Sequence, residues 1–436
     1  KAENHFKQAI ELIENLRDPL PAEDFRMAFF ADKLVSYQQL ARICLKKGNV
    51  KEAFLLVEQS RSRVLAESLT DNEKFENLQT EICAPLLKKL RNLREELNWF
   101  YSRLNRAAPD EIASLLTETQ TREKEINELM RQIKNIGGEV HKTNKSLDIN
   151  NLQKSLGAER VLLEYVGFDG QISVFVVTEK SIEFVENLER ESEIVELLES
   201  LHFQFETMRY GEAKLGAFAA ELKKRTDFYL QKLYKKLIAP IEKFIENRHL
   251  VIVPFGGLHY LPFHALFDGE SYLIEKTEVS YAASATVLQY CLEKPKRPLK
   301  NALLVGFADE KIPFVKEEIE NLKAIFPQRK ILFGKDATFA KFKRNAPDFD
   351  IIHLACHGQF RQDNPMFSAL RLADGFLTVR DISELRLNAE LVVLSACETG
   401  LNKVLAGDEL IGLKRGFFAA GASSLILTLW TVNDKA

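Results

Sequence analysis

The second half of the chain alternates strand-like and helix-like segments, and no other feature narrows the fold as much. Ala302–Val305 and Lys330–Phe333 read as strands, and Val315, Ile319, Leu322 and Phe326 between them fall on one helix face. Ile351–Ala355 and Leu391–Leu394 are nearly continuous apolar runs, as strands covered on both faces are. Leu410, Leu413, Phe417 and Ala420 mark a further helix, and Leu425–Leu429 a last strand. This alternation predicts an α/β fold over residues 301–436, a mostly parallel sheet in an αβα sandwich. The sequence stops at Ala436 just after that strand and starts at Lys1 without Met, so both termini read as truncated.

The preceding residues divide into three further regions. Over 151–291, Val161–Val166 and Ile172–Val177 read as strands joined at Phe168-Asp169-Gly170, a hairpin signal. A helical stretch follows over roughly 190–246, then the strand Leu250–Val253, and residues 292–300 read as a linker. Residues 85–150 read as a long antiparallel helical hairpin. Leu86, Leu90, Leu93, Leu97 and Leu104 mark one arm, and Ile126, Leu129, Ile133 and Ile136 the other. Pro109-Asp110 marks a helix start between the arms, and Gly137-Gly138 a stop. Residues 1–84 read as helical repeats. Phe6, Ala9, Ile13 and Leu16 recur at helical spacing, and Tyr37, Leu40, Ala41, Cys44, Gly48, Ala53 and Val57 fit the large and small positions of a tetratricopeptide-type (TPR) repeat. Ala9 and Ala53 stand further apart than the roughly 34 residues of the standard repeat, and one or two repeats bury their own faces poorly.

Composition excludes several functions. Lys plus Arg number 60 against 63 Asp plus Glu, a net charge of −3, so there is no basic excess for direct nucleic acid binding. No apolar run approaches the roughly 20 residues of a membrane span, and no signal peptide is visible. The 5 cysteines are odd in number and widely spaced, which fits free thiols in a reducing cytoplasm rather than disulfides or a zinc site.

Sites in parallel sheets form beyond the carboxyl ends of strands. Two apolar runs end in reactive residues, Ile351-Ile352-His353-Leu354-Ala355-Cys356-His357-Gly358 and Leu391-Val392-Val393-Leu394-Ser395-Ala396-Cys397. If these strands are neighbours, about 4.8 Å apart, His357 and Cys397 face one another, the minimal equipment for a thiolate nucleophile. Gly358 lets its amide approach an oxyanion. Cys356 points to the opposite face, His353 lies deeper in the strand as a core residue, and His259 and His264 read as loop or packing residues. The opposed faces argue against a zinc site from His353, Cys356, His357 and Cys397. Val305-Gly306-Phe307-Ala308-Asp309 offers neither a phosphate-cradling turn nor an acidic cluster, which argues against a nucleotide-binding receiver.

HLACHG, VLSACETG and LTLWTVND, with the earlier VIVPFGGLHYLPFHAL and YAASATVL, resemble the CHAT family of caspase-fold peptidases, which is related to separase. The resemblance spans about residues 151–436, and TPR-like helices commonly precede such domains. It implies that His357 is general base, that Cys397 is nucleophile, and that the amides of Gly358 and Cys397 form the oxyanion hole. The reaction would be acyl transfer through a thioester, with no metal or organic cofactor. Residues 151–291 would be a degenerate caspase-like half packed on the active one. Asp434 aligns with an acidic residue of separase-like relatives and is an S1 candidate for a basic P1 side chain, with a turn or helix cap as the other reading. Asp408 reads as a helix N-cap or a second S1 candidate. Many basic-specific relatives carry Asp two residues before the cysteine, where this chain has Ser395. Lys403 is a conceivable self-cleavage point. The resemblance further implies a dedicated protein substrate, a regulatory protein or ribonucleoprotein partner at the TPR-like helices, and prokaryotic antiviral or CRISPR-associated defence. The alternative is a catalytically silent caspase-fold adaptor.

Overall fold

The computed structural model describes residues 2–17, 33–61, 65–67, 69, 84–104, 111–136, 147–208, 215–216, 218–310, 312–396, 403–405 and 408–430. Pro109-Asp110, Gly137-Gly138, Cys397 and Asp434 lie outside the described residues.

Helices α1 (Ala2–Arg17), α2 (Leu34–Lys46) and α3 (Val50–Gln59) open the chain. α2 and α3 turn back on each other through Gly48, which takes φ +79°, a left-handed conformation that costs a residue without Cβ little. Ala41 and Ala53, both fully buried, let the two helices approach, and Tyr37, Leu40, Cys44, Phe54 and Val57 fill the space around them. The pair does not stand alone. Its apolar face packs on Leu162, Phe175, Val177, Val251 and Val253 of the first sheet, with Phe54 and Phe175 edge to face at 5.5 Å.

Helices α4 (Ala84–Leu104) and α5 (Ile112–Ile136) form the expected hairpin. Leu90, Leu93, Leu97 and Tyr101 meet Ile126 and Leu129, and the same cluster includes Phe367, Ala369 and Phe376 from the second half of the chain. Polar contacts hold the hairpin there: Arg94 pairs with Glu384, Arg361 with Glu123, and Arg380 donates to Asn127. α6 (Ile149–Leu156) follows, capped by the Asp148 carboxylate, which accepts from Asn150 N at 2.9 Å and Asn151 N at 3.2 Å.

The first sheet contains β1 (Arg160–Phe168), β2 (Gln171–Val177), β3 (Ile182–Arg190), β4 (His249–Val253) and β5 (Val279–Tyr281) in the order β3-β2-β1-β4-β5. Asp169 and Gly170 join β1 to β2 with φ of 49° and 71°, the two left-handed residues of a type I′ turn. Between β3 and β4 run α7 (Glu191–Met208) and α8 (Phe218–Leu237), which cover one face; α9 (Ala285–Glu293) follows β5. β3 and β5 were not visible in the sequence pattern. β3 is half-exposed and charged, and β5 has three residues.

The second sheet contains β6 (Asn301–Gly306), β7 (Gln328–Phe333), β8 (Ile351–Ala355), β12 (Leu391–Ser395) and β15 (Ser424–Ile426) in the order β15-β12-β8-β6-β7. Every neighbouring pair is parallel. α10 (Val315–Ile325) covers one face through Val315 and Ile319. α11 (Phe339–Asn345), α12 (Val379–Ser383) and α13 (Leu413–Ala419) cover the other through Phe342, Ile382 and Phe417. Between β8 and β12 the chain forms a small antiparallel sheet of β9 (Gly358–Gln359), β10 (Ala369–Leu372) and β11 (Gly375–Thr378). β13 (Lys403–Leu405) and β14 (Glu409–Ile411) pair as a separate hairpin. This corrects two expectations: Leu410 belongs to β14 and not to a helix, and the last strand is shorter than Leu425–Leu429.

The two sheets touch. Trp430, beyond β15, stacks on Phe205 of α7 with ring centroids 4.5 Å apart. The arrangement is an α/β fold whose parallel αβα sandwich is preceded by a second five-stranded unit and by helices.

Candidate active site

β8 lies between β6 and β12, in register Ile351↔Leu391 through Ala355↔Ser395 with β12 and Gly306↔Ala355 with β6. The ladder carries past the strand end, since Cys356 N donates to Ser395 O at 3.3 Å. His357 is the second residue after Ala355, and Cys397 the second after Ser395. The neighbouring strands assumed from the sequence are therefore neighbours.

The His357 ring is about a third exposed, and its Nε2 lies 3.0 Å from Oδ1 of Asp309. Asp309 is the third residue beyond β6. The chain passes from β6 outward to β7 and returns to β8 on the other side, so both residues sit at the topological switch point where such sheets form their crevice. An ionised carboxylate can only accept, so Nε2 carries the proton in this pair and Nδ1 is the basic nitrogen of the neutral ring. The His357 carbonyl accepts from Arg371 N at 2.8 Å, which makes His357 and Arg371 a hydrogen-bonded pair of the β9–β10 ladder. Pairs alternate along an antiparallel ladder, so Gly358, opposite Leu370, directs its amide away from β10.

Other candidates have structural surroundings. His353 is buried with Nε2 2.8 Å from Glu318 Oε1 of α10. Cys356 faces the core, and burial pushes its thiol up to about 12. His264 Nδ1 lies 3.1 Å from the Tyr281 hydroxyl. Among the described residues no group of three or more His, Cys, Asp or Glu is arranged to hold a metal ion.

Asp408 is not a helix N-cap. Gly412 precedes α13, and Asp408 sits in the turn between β13 and β14 with φ +51°. Its buried carboxylate lies 2.9 Å from Arg61 Nη2, accepts from Gly256 N at 3.0 Å, and lies 3.4 Å from His259 Nε2. Burial alone would raise this carboxyl, but Arg61 and His259 outweigh it and hold the group at about 2. Nη1 of Arg61 also lies 3.3 Å from Glu164, a fully buried carboxylate on β1. Burial and the nearby Glu58 push Glu164 well above the usual carboxyl range, against the pull of Arg61. Lys403 lies in β13, paired with Ile411.

Sequence reasoning passed over Asp309 and Arg61. Asp309 had a usable signal, a carboxylate just past a central strand, but it was weighed only as part of a phosphate or receiver site. Arg61 had none, since a lone arginine after a helix does not show that its partners are hundreds of residues away.

Among the described residues no helix is long and apolar enough to cross a membrane. The CHAT domain family matches residues 228–436. Tetratricopeptide repeat protein 28 of Mus musculus is 27% identical over 48% of this chain and 11% of its own length. That of Homo sapiens is 25% identical, again over 48% of this chain and 11% of its own length. The aligned part is thus about a tenth of those relatives, and their name denotes the repeat type that the N-terminal helices resemble. Residues 228–436 of this chain thus match the CHAT domain, a family of caspase-like fold, and they contain the parallel αβα sandwich.

Proposed function

We propose that the chain is a cysteine endopeptidase with His357 and Cys397 as its dyad. His357 Nδ1 takes the Cys397 thiol proton, and the thiolate attacks the scissile carbonyl carbon. The amides of Gly358 and Cys397 hold the resulting oxyanion. Collapse breaks the C–N bond, the imidazolium protonates the leaving amine, and a thioester remains. Water, deprotonated by His357, then hydrolyses the thioester and returns the thiol. Asp309 orients the ring and stabilises the imidazolium. The observation that supports this most is the pairing of β8 with β12 in the register Ala355↔Ser395, with a His357 ring about a third exposed beside the Asp309 carboxylate.

We place the S1 carboxylate at Asp434, for a basic P1 residue, and withdraw Asp408 from that role because its carboxylate is already engaged by Arg61. The substrate is a dedicated protein. The regulatory protein or ribonucleoprotein partner docks on the helical region, where Leu12, Leu16 and Val35 are exposed. Prokaryotic antiviral or CRISPR-associated defence enters this proposal from the family resemblance alone.

The test is cleavage of a peptide library by the full chain, wild type against Cys397→Ala and His357→Ala. Loss of at least about 100-fold in both is expected for members of one catalytic unit. Undiminished cleavage in either variant rejects the dyad, and absence of any cleavage or Cys397-specific adduct in the wild type would favour the silent adaptor.

A further inference from the structure

We infer that the groove between α5 and the chain just after His357 binds the protein substrate beyond the scissile bond, on the leaving-amine side. The bound segment is extended and carries a bulky apolar side chain; this rests on the dyad proposed above. The groove measures about 690 Å³ and is lined by Leu116 and Gln120 of α5 and by Gln359, Phe360 and Gln362 of the second half. Ligand sites span roughly 300–1,000 Å³, and this one falls within that range. Gln359 belongs to β9 and, two residues beyond His357, shares its face of the strand. At about 3.3 Å per residue, the groove begins on the order of 7 Å from His357.

The direction follows from the chemistry. His357 hands its proton to the leaving amine, so the residues after the cut pass over the chain that follows His357. β9 is the outer strand of its small sheet, and no described strand pairs with its open side. The N–H and C=O of one strand residue point the same way, so the Gly358 carbonyl faces that open side together with its amide. With the amide given to the oxyanion, the carbonyl is left to accept from a substrate backbone N–H, the start of a strand added to the edge. Further out, the two charged residues of the groove, Arg361 and Asp363, pair with one another. Arg361 also donates from its backbone to Ser368 Oγ at 2.9 Å and from its side chain to Tyr101 Oη at 3.1 Å, which fastens the floor of the groove to the hairpin. The side-chain amides of Gln120, Gln359 and Gln362 bond to no described residue. Leu116, 40% exposed, and the half-buried Phe360 supply apolar surface. A groove with no unpaired charge, free amides and apolar carbon suits a peptide main chain and an apolar side chain, and gives nothing to hold a phosphate.

The experiment gives the full chain two substrates. One is the best-cleaved member of a randomised decapeptide library with a fluorophore and quencher at its ends. The other is the same sequence ended at the scissile bond by aminomethylcoumarin, which leaves the groove empty. The readout is the ratio of their kcat/KM values, since loss of fold lowers both together. The peptides that wild type cleaves fastest should carry Leu, Ile, Phe or Met among the second to fourth residues after the cut. Leu116→Glu should lower the ratio by roughly 10-fold or more, the scale of a lost apolar contact in a pocket, and erase that preference; Leu116→Met should keep both. A wild-type ratio in Leu116→Glu, or a loss that falls equally on the two substrates, overturns the inference and leaves the dyad standing. Cleavage that survives Cys397→Ala or His357→Ala, or no cleavage of either substrate by wild type, overturns the dyad, and the inference with it.

Discussion

His357 and Glu164 are both set by their nearest neighbours, with opposite consequences. Asp309 lies on the proton-bearing side of His357, so its removal should harm turnover and not substrate capture. Asp309→Asn, which keeps shape but removes charge, should lower kcat roughly 10- to 1,000-fold with little change in KM; the exposure of Asp309 argues for the lower end. An unchanged kcat would remove Asp309 from the site. Glu164 offers a pH test. Its folded pKa is raised above the ordinary 4.5. Its contribution to stability is therefore complete below that value and is lost as pH rises through the folded pKa. Asp408, lowered from 3.8 to about 2, works in the other direction and loses its contribution as pH falls toward 2. Thermal unfolding from pH 4 upward should show wild type losing ground to Glu164→Gln as alkalinity rises, and parallel curves would contradict this. At this scale the sequence marked His357 as a candidate by its position after an apolar run. It could not announce Arg61 or Glu164, whose significance lies in partners far along the chain.

Elements with two buried faces were legible, and elements at edges were not. β8 and β12 stood out because four of the five positions in each are apolar, with β8 buried throughout. β3, at the rim of the first sheet, carries Glu183, Glu186, Glu189 and Arg190, and nothing in that pattern separates it from a solvated helix. β13 left no mark in the sequence and Leu410 of β14 fitted a helix, because three-residue strands give periodicity no length to act on. The α4–α5 hairpin was legible as a hairpin, but its seat was not. That seat centres on Glu123, only 2% exposed, which accepts from Tyr101 Oη at 2.7 Å and Asn364 Nδ2 at 2.6 Å and pairs with Arg361. Glu123→Ala would leave Arg361 largely buried beside the exposed Asp363, and should destabilise the protein by about 3–5 kcal/mol. A fall in the unfolding midpoint together with early proteolysis in the hairpin is the expected result; an unaltered midpoint would show that apolar packing alone holds the arm.

Across the whole molecule, repeats that cannot bury their own faces have been given a sheet to lean on. The α2–α3 pair covers the side of the first sheet left open by α7 and α8, and the first sheet in turn meets the CHAT sandwich through Trp430 and Asp408. The three layers, read separately in the sequence, are thus joined by contacts that no local pattern encodes. One of those contacts bears on how the protein is made. Arg61 leaves the ribosome several hundred residues ahead of Asp408, an interval on the order of tens of seconds at roughly 5–20 residues per second. Throughout that time the guanidinium has Glu164 and the Tyr165 carbonyl beside it, and Asp408 is still to come. The last bond to Arg61 therefore closes only after the turn that carries Asp408 has been made.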